Sequence, residues 1–70
     1  MKFVVLGTGQ LTGERYAMVN LSGPVLFIRA MMGVNEQRWV KFESRHEAQY
    51  QIDRLGPGGY LTLAVEEYHP

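Results

Sequence analysis

Basic and aromatic side chains alternate in two stretches of the chain, and these are the side chains best suited to binding. The first stretch holds Phe27 and Arg29, and the second holds Arg38, Trp39 and Lys41. Aromatic rings stack on nucleobases while cationic groups contact phosphates. Trp and Arg are also the residues most enriched at protein–protein hot spots. The pattern therefore indicates binding of a protein or of a single-stranded nucleic acid.

The residue types that carry catalysis do not converge in the sequence. There is no cysteine, and His46 and His69 are the only histidines. Glu66 and Glu67 are adjacent on a predicted strand, so their carboxylates point to opposite faces. A metal site needs three or four convergent ligands, and catalysis needs a nucleophile with a base or paired carboxylates. We expect no enzymatic activity and no metal site.

The glycines near the N-terminus approach a dinucleotide-binding fingerprint without completing it. Gly7 and Gly9 occupy its first two glycine positions, but Thr12 stands where the third glycine would let a helix pack closely on a strand. The residues that follow are strand-like, so no βαβ unit can be built. We expect no cofactor.

The clearest predicted element is a helix over Arg45–Leu55. Ser44 followed three residues later by Glu47 is a capping box, in which each residue satisfies a free backbone group of the other. Gly56 supplies the left-handed position that ends a helix, and Pro57 prevents its continuation. One apolar stripe runs along the helix, formed by Ala48, Ile52 and Leu55.

Five short apolar or alternating stretches are predicted as strands, at residues 2–6, 15–21, 25–32, 38–42 and 60–68. Turns separate them at Ser22-Gly23-Pro24, at residues 33–36 and at residues 56–59. Short connections favour antiparallel neighbours. The predicted fold is α+β, a curved antiparallel sheet of four to five strands with one helix, in the order β-β-β-β-α-β. Seventy residues leave room for a single domain, 1–70.

Strand alternation divides the apolar side chains between the two faces of this sheet. The arrangement that best covers the helix buries Leu26, Ile28, Ala30, Val40, Phe42, Leu61, Leu63 and Val65. The opposite face then presents Phe27, Arg29, Met31, Trp39 and Lys41. We predict this set as the binding surface, with Trp39 as its desolvated anchor. Partner binding, homodimer formation and a sheet curled until both faces are buried are three open alternatives.

Opposite charges are concentrated in the two parts of the chain, although the net charge is zero. Residues 1–42 carry five basic and two acidic side chains, and residues 43–70 carry two basic and five acidic ones. A neutral chain is not typical of a duplex-DNA binder. The acidic side chains predict a secondary acidic surface formed by Glu43, Glu47, Asp53, Glu66 and Glu67.

The apolar runs of the sequence are five or six residues at most, far shorter than a membrane span. The apolar part of the N-terminal stretch is also too short for a secretory signal. We expect a cytoplasmic protein that makes no membrane contact.

The stretch from Arg38 to Ala48, followed by Leu55, a glycine and a final strand, resembles the second half of a SPOR domain. Its shared pattern is a strand, a Ser44-x-x-Glu47 cap, a helix and Gly56. This resemblance covers about 30 residues and implies a peptidoglycan-binding module, which is an alternative function.

The chain also resembles small phage-encoded inhibitors, notably anti-CRISPR proteins directed at type I surveillance complexes. The shared features are the Met1-Lys2-Phe3 start, a length near seventy, and Phe42-Glu43-Ser44 opening a helix that closes on Leu55-Gly56-Pro57-Gly58-Gly59. The resemblance implies a non-enzymatic protein that binds a bacterial complex and blocks its nucleic-acid or effector site. We therefore expect a protein-binding inhibitor, with a single-stranded nucleic-acid binder as the alternative.

Overall fold

The structure is a computed structural model that describes residues 1–20, 25–56 and 59–69. Four strands and one α-helix follow one another, with a short 3₁₀ helix before the α-helix. The strands are β1 (Lys2–Gly9), β2 (Arg15–Asn20), β3 (Leu26–Arg29) and β4 (Leu61–Tyr68). The 3₁₀ helix spans Glu36–Arg38, and α1 spans Arg45–Leu55. The predicted turn Ser22-Gly23-Pro24 and the predicted reversal at Pro57-Gly58 lie outside the described residues.

The strands form one antiparallel sheet in the order β3-β2-β1-β4. β1 is central, and β4 pairs with it over its whole length, from Lys2 opposite Tyr68 to Gly9 opposite Leu61. α1 precedes β4 in the chain and packs on β1 and β4. The predicted α+β class, an antiparallel sheet with one helix, is confirmed.

The predicted strand at residues 38–42 is wrong in detail. Its first residue closes the 3₁₀ helix, and only Phe42 forms a bridge, exchanging hydrogen bonds of 2.7 and 2.9 Å with Phe3. The Val40 N–H donates to the Met18 carbonyl at 2.9 Å. β1 and β2 pair with each other from Leu6 opposite Ala17 to Thr8 opposite Arg15, so residues 40–42 lie where the two strands diverge. Contacts to two different strands keep this segment from joining the ladder of either one.

α1 begins and ends where the sequence predicts. The Ser44 hydroxyl oxygen accepts from the Glu47 N–H at 3.2 Å, which satisfies one of the free donors of the first turn. At the other end, Gly56 has a φ of +73° and its N–H donates to the Ile52 carbonyl. Ala48 is fully buried on the sheet, whereas Leu55 at the end of the predicted stripe is exposed.

Both faces of the sheet are buried, but by different elements. On the helix side, the buried residues are Val5, Met18, Phe42 and Ala48, with Phe3, Val25, Phe27, Val40, Ile52 and Val65 packed around them. On the opposite side, which we call the loop side, they are Val4, Ala17 and Trp39, with Leu6, Val19, Ala30 and Tyr68 around them. Residues 30–41 cross the loop side and supply its tryptophan. The unbroken apolar run at residues 3–6 is typical of a strand that is covered on both faces.

No helix in the described residues is long and apolar enough to cross a membrane.

Candidate functional site

The structure does not bring the five predicted binding residues to one face. Phe27 pairs with Met18 across β3 and β2, and paired residues project to the same face. Met18 is buried on the helix side, so Phe27 lies there too, half-buried. Trp39 lies on the loop side and is only 5 % exposed. The predicted exposed patch is therefore wrong, because both of its aromatic rings pack into clusters of the core.

Alternation within residues 25–32 favours the wrong set for the helix side, because Leu26, Ile28, Ala30 and Met32 are all apolar whereas the set with Phe27 contains Arg29. In the structure, the set of residues that faces the helix is the other one. Phe27 packs on the helix side, and the side chain of Leu26 is 53 % exposed. Ile28 pairs with Ala17, whose side chain is buried on the loop side. Arg29 forms an exposed ion pair with Glu14.

Trp39 and Lys41 do lie together, on the loop side. The Trp39 and Tyr68 rings meet edge to face, with centroids 6.2 Å apart and an interplanar angle of 68°. The Lys41 ammonium lies 5.0 Å from the centre of the same Tyr68 ring and donates to the Glu36 carbonyl. Tyr68 thus contacts both the buried Trp39 ring and the Lys41 ammonium.

Asn35 fastens the segment that crosses the loop side. Its Oδ1 accepts from the Trp39 indole Nε1 at 3.0 Å and from the Met31 N–H at 3.1 Å. Its Nδ2 donates to the Arg29 carbonyl at 2.8 Å. One amide side chain therefore ties the end of β3, the following turn and the buried tryptophan into one unit.

The turn held by Asn35 exposes apolar side chains. Met31, Met32 and Val34 are 47 %, 68 % and 70 % exposed. The Val34 N–H donates to the Met31 carbonyl at 2.9 Å, and Gly33 has a φ of +78°, which favours glycine. We call residues 31–34 the methionine loop. The sequence pattern indicated Met31 but not Met32 and Val34; a run of apolar residues around a predicted glycine turn was the available signal.

A groove of about 340 Å³ adjoins the methionine loop on the loop side. Its apolar lining consists of Val4, Leu6, Ala30, Met32, Trp39 and Tyr68. Its polar lining consists of Arg15, Glu66, Glu67 and His69. We call this the loop-side groove. Its charges are largely internally paired: Arg15 pairs with Glu66, and the Glu67 carboxylate lies 3.4 Å from His69 Nε2.

The five acidic residues predicted as a secondary surface have separate local roles. Glu43 pairs with Lys2, whose hydrogen bond and positive charge hold the pKa of the Glu43 carboxyl below its usual range. Glu47 belongs to the helix cap, and Asp53 accepts from Gln49 at 3.1 Å. Glu66 pairs with Arg15, and the Glu67 carboxylate lies 3.9 Å from the Arg45 guanidinium. These contacts compensate much of the charge that the predicted surface requires.

No group of three or more His, Asp or Glu side chains that could hold a metal ion occurs among residues 1–20, 25–56 and 59–69. Gly7, which suggested a nucleotide loop, is a paired residue of β1. A Cβ at this position would lie 3.0 Å from a methyl carbon of Leu63 and 3.1 Å from Leu61. The glycine accommodates these two leucines, and so its presence is explained by packing.

We compared the chain with models of protein families, with curated proteins and with solved structures, and no match was found in any of the three comparisons. Function is therefore inferred from the features of the sequence and from the geometry described above.

Proposed function

We propose that this chain is a non-enzymatic protein-binding module whose contact surface joins the methionine loop to the loop-side groove. The observation that carries the proposal is the exposure of Met31, Met32 and Val34 on a turn that Asn35 holds in place. Exposed apolar side chains that adjoin an apolar groove are typical of interaction sites.

The energetics favour burial of this surface by a partner. Fully burying a methionine or valine side chain contributes about 1.5–3 kcal/mol before the costs of association. The hydrogen bonds of Asn35 already order the turn, so less conformational entropy is lost on binding. Met31 and Met32 have flexible, polarisable side chains that adapt to the shape of a partner.

The lining of the groove indicates the chemistry of that partner. Apolar residues line much of it, and Arg15 and Glu66 place both signs of charge at its surface. A protein segment that inserts an apolar side chain and carries polar groups on either side fits this arrangement. The resemblance to small phage-encoded inhibitors supports a specific version, in which the partner is a subunit of a bacterial complex such as a CRISPR surveillance complex.

The test is a capture experiment with matched aspartate substitutions. The immobilised native chain, Met32→Asp and Val34→Asp are compared in bacterial lysate, with and without nuclease. Leu11→Asp is the control, because Leu11 is 90 % exposed and apolar but lines a hollow with Phe27 of the helix-side cluster. All three substituted side chains are exposed, and circular dichroism checks that each variant is folded.

We expect one stoichiometric protein to be recovered by the native chain and by Leu11→Asp, with or without nuclease. Recovery falls at least tenfold with Met32→Asp and Val34→Asp, because a charge in the contact must be desolvated. Equal recovery with all variants would contradict the proposed surface. Recovery that disappears with nuclease and falls steeply with salt would instead identify a nucleic acid as the ligand.

A further inference from the structure

The outer edge of β4 carries a row of backbone groups that β1 does not use. The Gln10 N–H donates to the Tyr60 carbonyl at 2.9 Å, whereas Phe3 exchanges its hydrogen bonds with Phe42 on the opposite side of β1. Even-numbered residues of β1 therefore bond towards β4. Because the direction alternates along a strand, the N–H and C=O groups that point outward from β4 belong to Leu61, Leu63, Val65 and Glu67.

This edge lacks the prolines and register shifts that commonly protect an edge strand, and its charged side chains are Glu66 and Glu67 near one end. β4 pairs with β1 for eight residues without a register shift and contains no proline. No strand in the described part of the chain pairs with its outer side. Long regular edges without bulges or prolines are templates for pairing with another strand.

The flank of α1 above this edge carries a self-complementary row of side chains. Arg45, Gln49 and Asp53 are spaced four residues apart and lie on one side of the helix. Arg45 approaches Glu67 at one end of β4, and Asp53 lines a cleft of about 460 Å³ with Leu61 and Leu63 at the other end. The row therefore runs from a cation through an amide to a carboxylate along the open edge.

We propose that two copies of this chain pair through the β4 edge around a two-fold axis at Ala64. In this antiparallel arrangement Arg45 of one copy faces Asp53 of the other, twice, and Gln49 faces Gln49. An isologous interface requires such a self-complementary patch. The opposite flank of α1 carries Glu47, Gln51 and Arg54, which do not line the cleft beside β4.

The side chains of β4 agree with this register. Leu63 faces Val65 of the second copy, so that apolar residues meet across the interface. Glu66 faces Thr62 and Glu67 faces Leu61, so no two carboxylates lie directly opposite each other. All of the outward N–H and C=O groups find partners. The two four-stranded sheets become continuous, with both helices on one face and both loop-side grooves on the other.

The proposal is tested by the oligomeric state of the full chain from micromolar to millimolar concentration, measured by sedimentation equilibrium. We expect a reversible monomer–dimer equilibrium. Hydrogen exchange gives a second measurement. The amides of Leu63 and Val65 are protected only at concentrations where the dimer forms, whereas that of Ala64, bonded to β1, is protected at all concentrations.

Charge reversal identifies the contact. Arg45→Glu places a second carboxylate opposite Asp53, and Asp53→Arg places two arginines opposite each other, so each variant alone should dimerise about tenfold more weakly. Mixing the two variants restores opposite-charge contacts and should restore dimerisation. Each change places its new charge favourably with respect to the helix dipole, so loss of the helix is not expected. Arg54→Glu, on the other flank, is the control.

A chain that stays monomeric up to millimolar concentration would overturn the proposal. A dimer whose strength is unchanged in Arg45→Glu and Asp53→Arg, or one that mixing does not restore, would show that another surface is used. The capture experiment is read separately, because Met32→Asp and Val34→Asp change residues outside β4, although Glu66, Glu67 and Tyr68 of β4 line the loop-side groove.

Discussion

The two faces of the sheet are closed by different kinds of structure. On the helix side, α1 covers the sheet with a regular element whose start, stripe and end are each encoded within a few residues. On the loop side, an irregular segment covers the sheet with one tryptophan and one asparagine. A helix satisfies its own backbone groups, whereas an irregular segment depends on side-chain hydrogen bonds to satisfy them.

The irregular cover of the loop side is also the more suitable place for a binding surface. On the helix side, exposed apolar side chains also occur, since Leu11, Leu55 and Tyr60 line hollows beside Phe27. On the loop side, the chain turns after β3 before Trp39 packs on the sheet. This turn exposes Met31, Met32 and Val34 to solvent. Connecting segments that a rigid scaffold holds in place are frequent sites of binding.

The largest effect is expected from the tryptophan that closes the loop side. Trp39→Ala should lower the free energy of unfolding by about 3–5 kcal/mol, because a large buried ring leaves a cavity between Val4 and Ala17. Denaturant unfolding followed by circular dichroism measures this. Tyr50→Ala, at a position 57 % exposed on α1, is the control and should change stability by less than about 0.5 kcal/mol. A loss below about 1 kcal/mol for Trp39→Ala would mean that the loop side is not a second core.

The second-largest loss of stability is expected when the Asn35 amide, which holds the segment on the loop side, is removed. Asn35→Ala leaves the Trp39 indole and the Met31 N–H without their acceptor and should cost about 1–3 kcal/mol. Asn35→Asp keeps the acceptor oxygen and loses the donor to Arg29, so it should fall between the native chain and Asn35→Ala. Exchange of the indole proton reports the effect locally. Unchanged exchange in Asn35→Ala would contradict the role of this side chain.

On the helix side, loss of the cap should have a smaller and more local effect. Ser44→Ala removes the acceptor for the Glu47 N–H and should cost about 1 kcal/mol. Amide exchange in the first turn of α1 should accelerate while the environment of Trp39 is unchanged. Ser44→Asp, which can also cap, is the control. A change in Trp39 fluorescence of the folded Ser44→Ala variant would show that the two faces are not independent.

The smallest effect belongs to the ion pair that links β1 to the start of α1. Lys2 lowers the pKa of Glu43 in the folded chain, so the pair stabilises the fold above the unfolded pKa of this carboxyl. That contribution is lost as the pH falls through the lowered folded pKa. In an NMR titration, Lys2→Met should raise the pKa of Glu43 towards its usual value, and salt should weaken the effect. An unchanged pKa would show that Lys2 does not interact with this carboxylate.

The features of the fold that depend on residues close together in the sequence were predicted correctly. The cap at Ser44, the end at Gly56 and the buried Ala48 are signals within one helix, and all three are confirmed. The side of the sheet that Phe27 faces depends on its pairing with Met18, a non-local register that the alternation of residues 25–32 does not specify. Trp39 was expected at the surface because its cover, Tyr68, is distant in the chain.

The loop side is a second buried layer, closed by Trp39, and the methionine loop is built on it. Trp39 is the only tryptophan of the chain, so its fluorescence reports on this layer alone. We predict an emission maximum shifted to short wavelength, and little quenching by iodide until the chain unfolds. Emission like that of tryptophan in water, with full access to iodide in the folded chain, would contradict the burial of Trp39.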